Sequence, residues 1–175
     1  FLNVASSKFP DIKPIVGCEV YVANGSRTER KGREERSSFH LILLAKNLNG
    51  YHNLIKLVSK GYVEGFYYYP RIDHELLEQY HEDLICSCAC LGGEIPQALM
   101  NDNWEEACRL TEWYHNLFGD DFYLEVMRHK SKLPEVGTST FEKQEKVNEG
   151  IFRLGEKYGI KVIASDKGAL DCTIR

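Results

Sequence analysis

A few side chains in this sequence have the type and spacing to do metal or acid–base chemistry. Glu19 lies inside an apolar, β-branched run over residues 13–22, where an unpaired carboxylate is costly to desolvate. It calls for a metal, a catalytic role, a salt bridge or an escape to the surface. His40 stands at the head of a second apolar run, 39–45, and suits either a ligand or a core histidine satisfied by hydrogen bonds. Cys90 follows a third run and precedes Gly92-Gly93. A thiolate there could meet a metal or a helix N-terminus, or the side chain could be a small buried hydrophobe. Glu125 and His129 flank the end of a fourth run, and Asp166 follows a fifth. Taken locally, these residues point to a metal-dependent hydrolase, and each also has an ordinary structural reading.

The elements that must position them follow from periodicity. Residues 13–22, 39–45, 83–89, 121–127 and 160–164 read as strands. If 83–89 is a regular strand, Cys86, Cys88 and Cys90 share one face. Leu48, Tyr51, Leu54, Ile55, Leu57 and Val58 recur at helical spacing, and Gly61 and Gly65 end that helix. Asp73 is placed to cap a helix from His74, and Asp102 or Asn103 an amphipathic helix through Tyr114. A short helix is expected at 96–100, and a long one from Thr138 or Ser139 to about Lys157. His52, His74, His81 and His115 fall on helices and read as solvated. Residues 66–73 read as an aromatic loop. Residues 24–38 read as a mobile polar loop carrying Arg27, Arg30, Lys31, Arg33 and Arg36. Strand–helix alternation argues for parallel α/β architecture with functional groups at the C-terminal strand ends.

Composition bounds the function. The 175 residues are 43% hydrophobic and 27% charged, which excludes wholesale disorder. No stretch has the length and apolarity of a membrane-spanning helix. A net charge of −4 argues against a strongly basic nucleic-acid surface over the whole domain. The six cysteines do not form a secreted disulfide framework or a C-x-x-C pair, so reduced thiols in a cytoplasmic protein are expected. Phosphate-loop, dinucleotide-binding and G-x-S-x-G motifs are absent, which argues against those chemistries.

Several blocks occur together in order: Gly17-Cys-Glu19 in its strand, Phe39-His40-Leu41, Gly50-Tyr-His-Asn53, Pro70-Arg-Ile-Asp73, Ala89-Cys-Leu-Gly-Gly93, Phe122-Tyr-Leu-Glu125 and Gln144-Glu-Lys-Val-Asn148. This pattern, over about residues 9–166, resembles the PHP (polymerase and histidinol phosphatase) domain of the bacterial replicative DNA polymerase III alpha subunit. The resemblance implies an α/β fold, an incomplete PHP-type distorted (β/α)7 barrel, TIM-like, lacking its first two strands. Those strands, with the family's first H-x-H motif, would precede Phe1. It implies a partial PHP domain over 1–166 and a non-family tail over 167–175.

The metal ligands implied by the resemblance are Glu19, His40, Cys90 and Asp166, with no catalytic or other cofactor-binding residue assigned. Zinc, manganese or magnesium is the expected divalent ion. The family's closing Asp-x-His is incomplete in Ala164-Ser-Asp-Lys-Gly-Ala169, so weak or partial binding and inefficient hydrolysis are expected. The implied function is a fragment of a DNA-directed DNA polymerase involved in DNA replication. Its PHP domain has a structural role and a residual metal-dependent 3′–5′ exonuclease or phosphoesterase role. DNA, dNTPs and polymerase magnesium would be handled by domains outside this chain. A sliding clamp and a proofreading subunit are the implied replicase partners, with no membrane. A stand-alone phosphoesterase of the histidinol-phosphatase type and a non-catalytic scaffold are the alternatives.

Overall fold

The computed structural model describes residues 7–8, 11–30, 38–128 and 139–165. In chain order the elements are β1 (Gly17–Ala23), β2 (Ser38–Ala45), α1 (Leu48–Val63), β3 (Phe66–Tyr67), β4 (Tyr69–Ile72), α2 (His74–Tyr80), β5 (Leu84–Ser87), α3 (Glu94–Met100), α4 (Trp104–Phe118), β6 (Phe122–Met127), α5 (Ser139–Tyr158) and β7 (Val162–Ser165). The strands form a mixed α/β sheet in the order β3-β4-β1-β2-β5-β6-β7.

The sheet is not purely parallel. β1 pairs parallel with β4, β5 with β6, and β6 with β7, but β2 runs antiparallel to both neighbours. The return of β2 along β1 matters for the site. The first residues of β2 lie beside the last residues of β1, with Tyr21 opposite His40 and Ala23 opposite Ser38. A residue at the head of β2 therefore sits at the same end of the sheet as the C-terminal ends of the parallel strands.

Alternation along the strands sends one set of side chains into a core shared with the helices. Val20, Val22, Leu41, Leu43, Leu84, Cys86, Phe122 and Leu124 pack there with Leu54, Leu57, Tyr114, Ile151 and Leu154. Each fully buried side chain of this kind contributes about 1.5–3 kcal/mol relative to exposure. Three helix starts carry side-chain caps, two of them, Asp73 and Asn103, as the sequence predicts. Asn47 accepts from Gly50 N, Asp73 from Leu76 N and Asn103 from Glu106 N.

Three expectations change. The aromatic segment is a tight hairpin, β3 with β4, turning at Tyr68 with φ +63°. Helix α1 is rotated from its expected face: Leu48 is 68% and Ile55 44% exposed, while Gly50, Asn53, Leu54, Leu57 and Gly61 are buried. Close approach explains the rotation. A Cβ on Gly50 would stand 2.0 Å from Asp83 O, and the Asn53 amide donates to Glu82 O at 3.1 Å. The third change concerns the polar loop, whose described part is pinned. The Arg27 guanidinium meets Glu64, Asp73 and Glu75 at 2.8–3.0 Å. Buried Arg71 donates to the carbonyls of Arg27, Glu29 and Gly65. Residues 31–37 lie outside the described part.

Candidate metal centre

Glu19 and His40 come from adjacent antiparallel strands and stand two residues apart in register, since Glu19 pairs with Ile42 and His40 with Tyr21. Their alternation places both on the sheet face opposite Val20 and Leu41. His40 Nδ1 lies 2.6 Å from Glu19 Oε1 and 3.6 Å from Cys90 Sγ.

Cys90 reaches this point because β5 stops early. Cys86 and Cys88 are buried in the core, but the strand ends at Ser87 and Ala89 takes φ +60°. The three cysteines therefore do not share a face: the left-handed turn at Ala89 sends Cys90 to His40. Gly92 N donates to Cys90 Sγ at 3.4 Å, and His40 N donates to Gly92 O at 2.9 Å. A Cβ on Gly92 would stand 3.0–3.1 Å from the His40 ring, so this approach favours glycine.

One ligand atom from each of Glu19, His40 and Cys90 falls within 4.8 Å of the others. The electrostatics follow from sharing Nδ1. Hydrogen bonds to Cys90 and then Glu19 raise the His40 pKa to about 10. The hydrogen bond from His40 holds both Glu19 and Cys90 below their ordinary values. Sharing Nδ1 thus favours the charged form of the imidazole and of both its partners.

The donor set fits a divalent ion. Imidazole, thiolate and carboxylate together are a donor set that would suit zinc. The Gly92 N–H on Cys90 is the kind of outer hydrogen bond that steadies a ligand. Asp166 and His129 lie outside the described residues. Glu125 is not part of the trio. It is buried in β6, accepting hydroxyl hydrogen bonds from Ser87 and Ser165.

The other histidines divide. His74 is not simply solvated: it stacks on Trp113 with centroids 4.0 Å apart and meets Glu94 at 2.9 Å. Buried Nδ1 of His115 has no hydrogen-bond partner. A groove of about 760 Å³ runs past His74, Glu94, Glu106, Arg109, Ala23 and Phe39. It does not include the trio. Tyr21 escaped the sequence reading, although it lies two residues from Glu19 on the same strand face. Its ring meets the His40 ring edge-on at 5.3 Å and Tyr69 at 4.8 Å.

The comparison with family profiles matches the PHP domain over residues 1–129. The chain belongs to the PHP domain family. This PHP domain is 43% identical to the DNA polymerase III subunit alpha of Borreliella burgdorferi over 91% of the chain. It is 42% identical to that of Thermus aquaticus and 40% to that of Deinococcus radiodurans, each over 90% of the chain. The chain spans only 11–13% of the length of these curated relatives. Among the described residues, no helix is long and apolar enough to cross a membrane.

Proposed function

We propose that this PHP domain is part of a bacterial DNA polymerase III alpha subunit, serving DNA replication in the cytoplasm. The observation that supports this reading is identity of 40–43% to alpha subunits over about nine-tenths of the chain. In that setting the domain braces the polymerase and does not itself join nucleotides. Binding of primer–template DNA, dNTPs and magnesium belongs to polymerase domains outside this chain, as does attachment of the clamp and proofreading subunit. The sheet is taken as a portion of a distorted PHP-type barrel whose H-x-H motif is supplied by the parent polypeptide. The domain runs to residue 166, and 167–175 lie outside it.

The domain's own chemistry is divalent-ion binding by Glu19, His40 and Cys90, with Asp166 as fourth donor. A bound ion would supply Lewis-acid activation of water for phosphodiester hydrolysis, a 3′–5′ exonuclease role. Glu19 contributes charge, Cys90 a soft anionic donor, and His40 gives up its Nδ1 proton to bind.

Two measurements test the reading. The reading frame of the gene should continue past Arg175 into polymerase domains. A stop codon soon after a complete Asp-x-His would instead favour a stand-alone phosphoesterase. Calorimetric titration of the chain with zinc, manganese and magnesium should show zinc-preferring binding that is lost in Cys90→Ser. Equal binding by wild type and variant removes Cys90 from the centre.

A further inference from the structure

Glu125 is a buried acid that the metal centre does not use. It is 3% exposed in the middle of the β5-β6-β7 part of the sheet. Its carboxylate is held from both sides: Ser87 Oγ on β5 donates to Oε2, and Ser165 Oγ on β7 donates to Oε1. Two hydroxyl donors compensate the desolvation that would otherwise exclude a carboxylate from this position.

The same carboxylate is connected to the segment that carries Cys90. Ser87 Oγ, with its proton given to Glu125, accepts the Ala89 N–H at 3.4 Å. Glu125 N donates to Cys88 Sγ at 3.1 Å, and Cys88 N donates to Tyr123 O at 3.3 Å. Residues 87, 88 and 89 are thus each tied, directly or through Ser87, to β6. The chain then passes through Ala89 at φ +60°, a conformation disfavoured for a residue with a Cβ. External contacts must hold that turn, and the Ser87 hydroxyl on the Ala89 amide is one of them. Beyond it, Cys90 meets His40 and Gly92 closes onto the His40 backbone.

We propose that Glu125 is a positioning residue for the metal centre: through Ser87, its buried carboxylate clamps residues 87–89 in the conformation that delivers Cys90 Sγ to His40 and Glu19. The proposal rests on the reading of those three residues as a metal centre. Glu125 acts on the approach of one ligand and does not touch the ion.

The test uses the 175-residue chain with two readouts. Cobalt(II) titration follows the thiolate-to-cobalt charge-transfer band contributed by Cys90. Amide hydrogen exchange of the metal-free chain follows His40, Ala89 and Gly92 against amides of α4. The variants are Glu125→Gln and Ser87→Ala, with Thr111→Val as a control for buried hydroxyl loss. Thr111 is buried in α4 and donates to Ala107 O.

Both site variants should bind cobalt(II) about 10-fold more weakly, the lower end of what outer-shell partners contribute. The three loop-linked amides should exchange faster, while α4 amides hold. Thr111→Val should bind as wild type. Wild-type affinity in both site variants, or faster exchange spread evenly over the core, overturns the proposal. If the wild-type chain develops no thiolate band, the metal reading falls. Selective exchange would then still support the clamp, and uniform exchange would sink both ideas.

Discussion

His40 Nδ1 stands 2.6 Å from Glu19 Oε1, joining two antiparallel strands at positions two residues apart in register. Because that nitrogen also faces Cys90 and its pKa is raised to about 10, it carries a proton at neutral pH. A metal ligated there must replace that proton. Divalent-ion affinity should therefore climb with pH between about 7 and 10, roughly 10-fold per unit for each proton released. Calorimetry in two buffers of different ionisation enthalpy counts the protons. Binding with no proton release would show that His40 is not a ligand.

The same shift has a consequence for the metal-free fold. A histidine whose folded pKa is raised from 6.5 to about 10 contributes stability that is fully present below pH 6.5 and is lost as pH rises through the folded value. Compared with the wild-type chain, His40→Ala should show a smaller loss of stability on going from neutral pH to about pH 10. Urea unfolding at several pH values in the presence of a chelator measures this, and identical pH profiles would contradict it.

Gly92→Ala should disturb the centre from the second loop residue after Cys90. The added methyl meets the His40 ring at 3.0–3.1 Å, so the ring or the loop must move. A loss of about 1–3 kcal/mol is expected for such overpacking, together with weaker zinc binding. Urea unfolding and a zinc titration of the variant check both. Wild-type values would mean that the ring has room to yield.

Arg27 should matter more for stability than a surface arginine. Its side chain is 12% exposed and faces Glu64, Asp73 and Glu75, and Asp73 also caps α2. Arg27→Ala leaves the largely buried Asp73 without its cation, at a cost on the order of 2–4 kcal/mol. Chemical denaturation measures it. A change below ~0.5 kcal/mol would place Arg27 among the weak surface pairs.

Affinity of the chain for single-stranded DNA should be weak. The net charge is −4, and Arg27, one of the basic residues between β1 and β2, is engaged by three carboxylates. Few phosphate contacts remain, so binding should be steeply salt-sensitive and poor near about 150 mM salt. The exposed rings of Phe66, Tyr68 and Tyr69 are the feature that opposes this expectation, since each stacked base contributes roughly 1–3 kcal/mol. A fluorescence titration decides: submicromolar affinity lost on neutralising Arg30, Lys31 and Arg33 would make the loop a nucleic-acid contact.

Much of the architecture was legible because it depends on local pattern. The apolar runs around Val20, Leu41, Cys86, Leu124 and Ile163 placed the main strands to within a few residues. Asp73 and Asn103 marked helix starts, since a short polar side chain satisfies amides that the first turn leaves open. The ordered blocks around Glu19, His40 and Cys90 also identified the family.

What the tertiary structure decided is direction and closeness. Periodicity shows that residues 39–45 form a strand but not which way it runs, and only its antiparallel return brings His40 to the end of the sheet where Glu19 and Cys90 meet. Alternation put Cys90 on the face of Cys86 and Cys88. The turn at Ala89, supported by Ser87 and Glu125 from two different strands, carries it to the other side. The buried face of α1 was set by the approach of Gly50 to Asp83, beyond the reach of hydrophobic spacing. These features depend on contacts between residues far apart in the chain, whose free energy no local window contains.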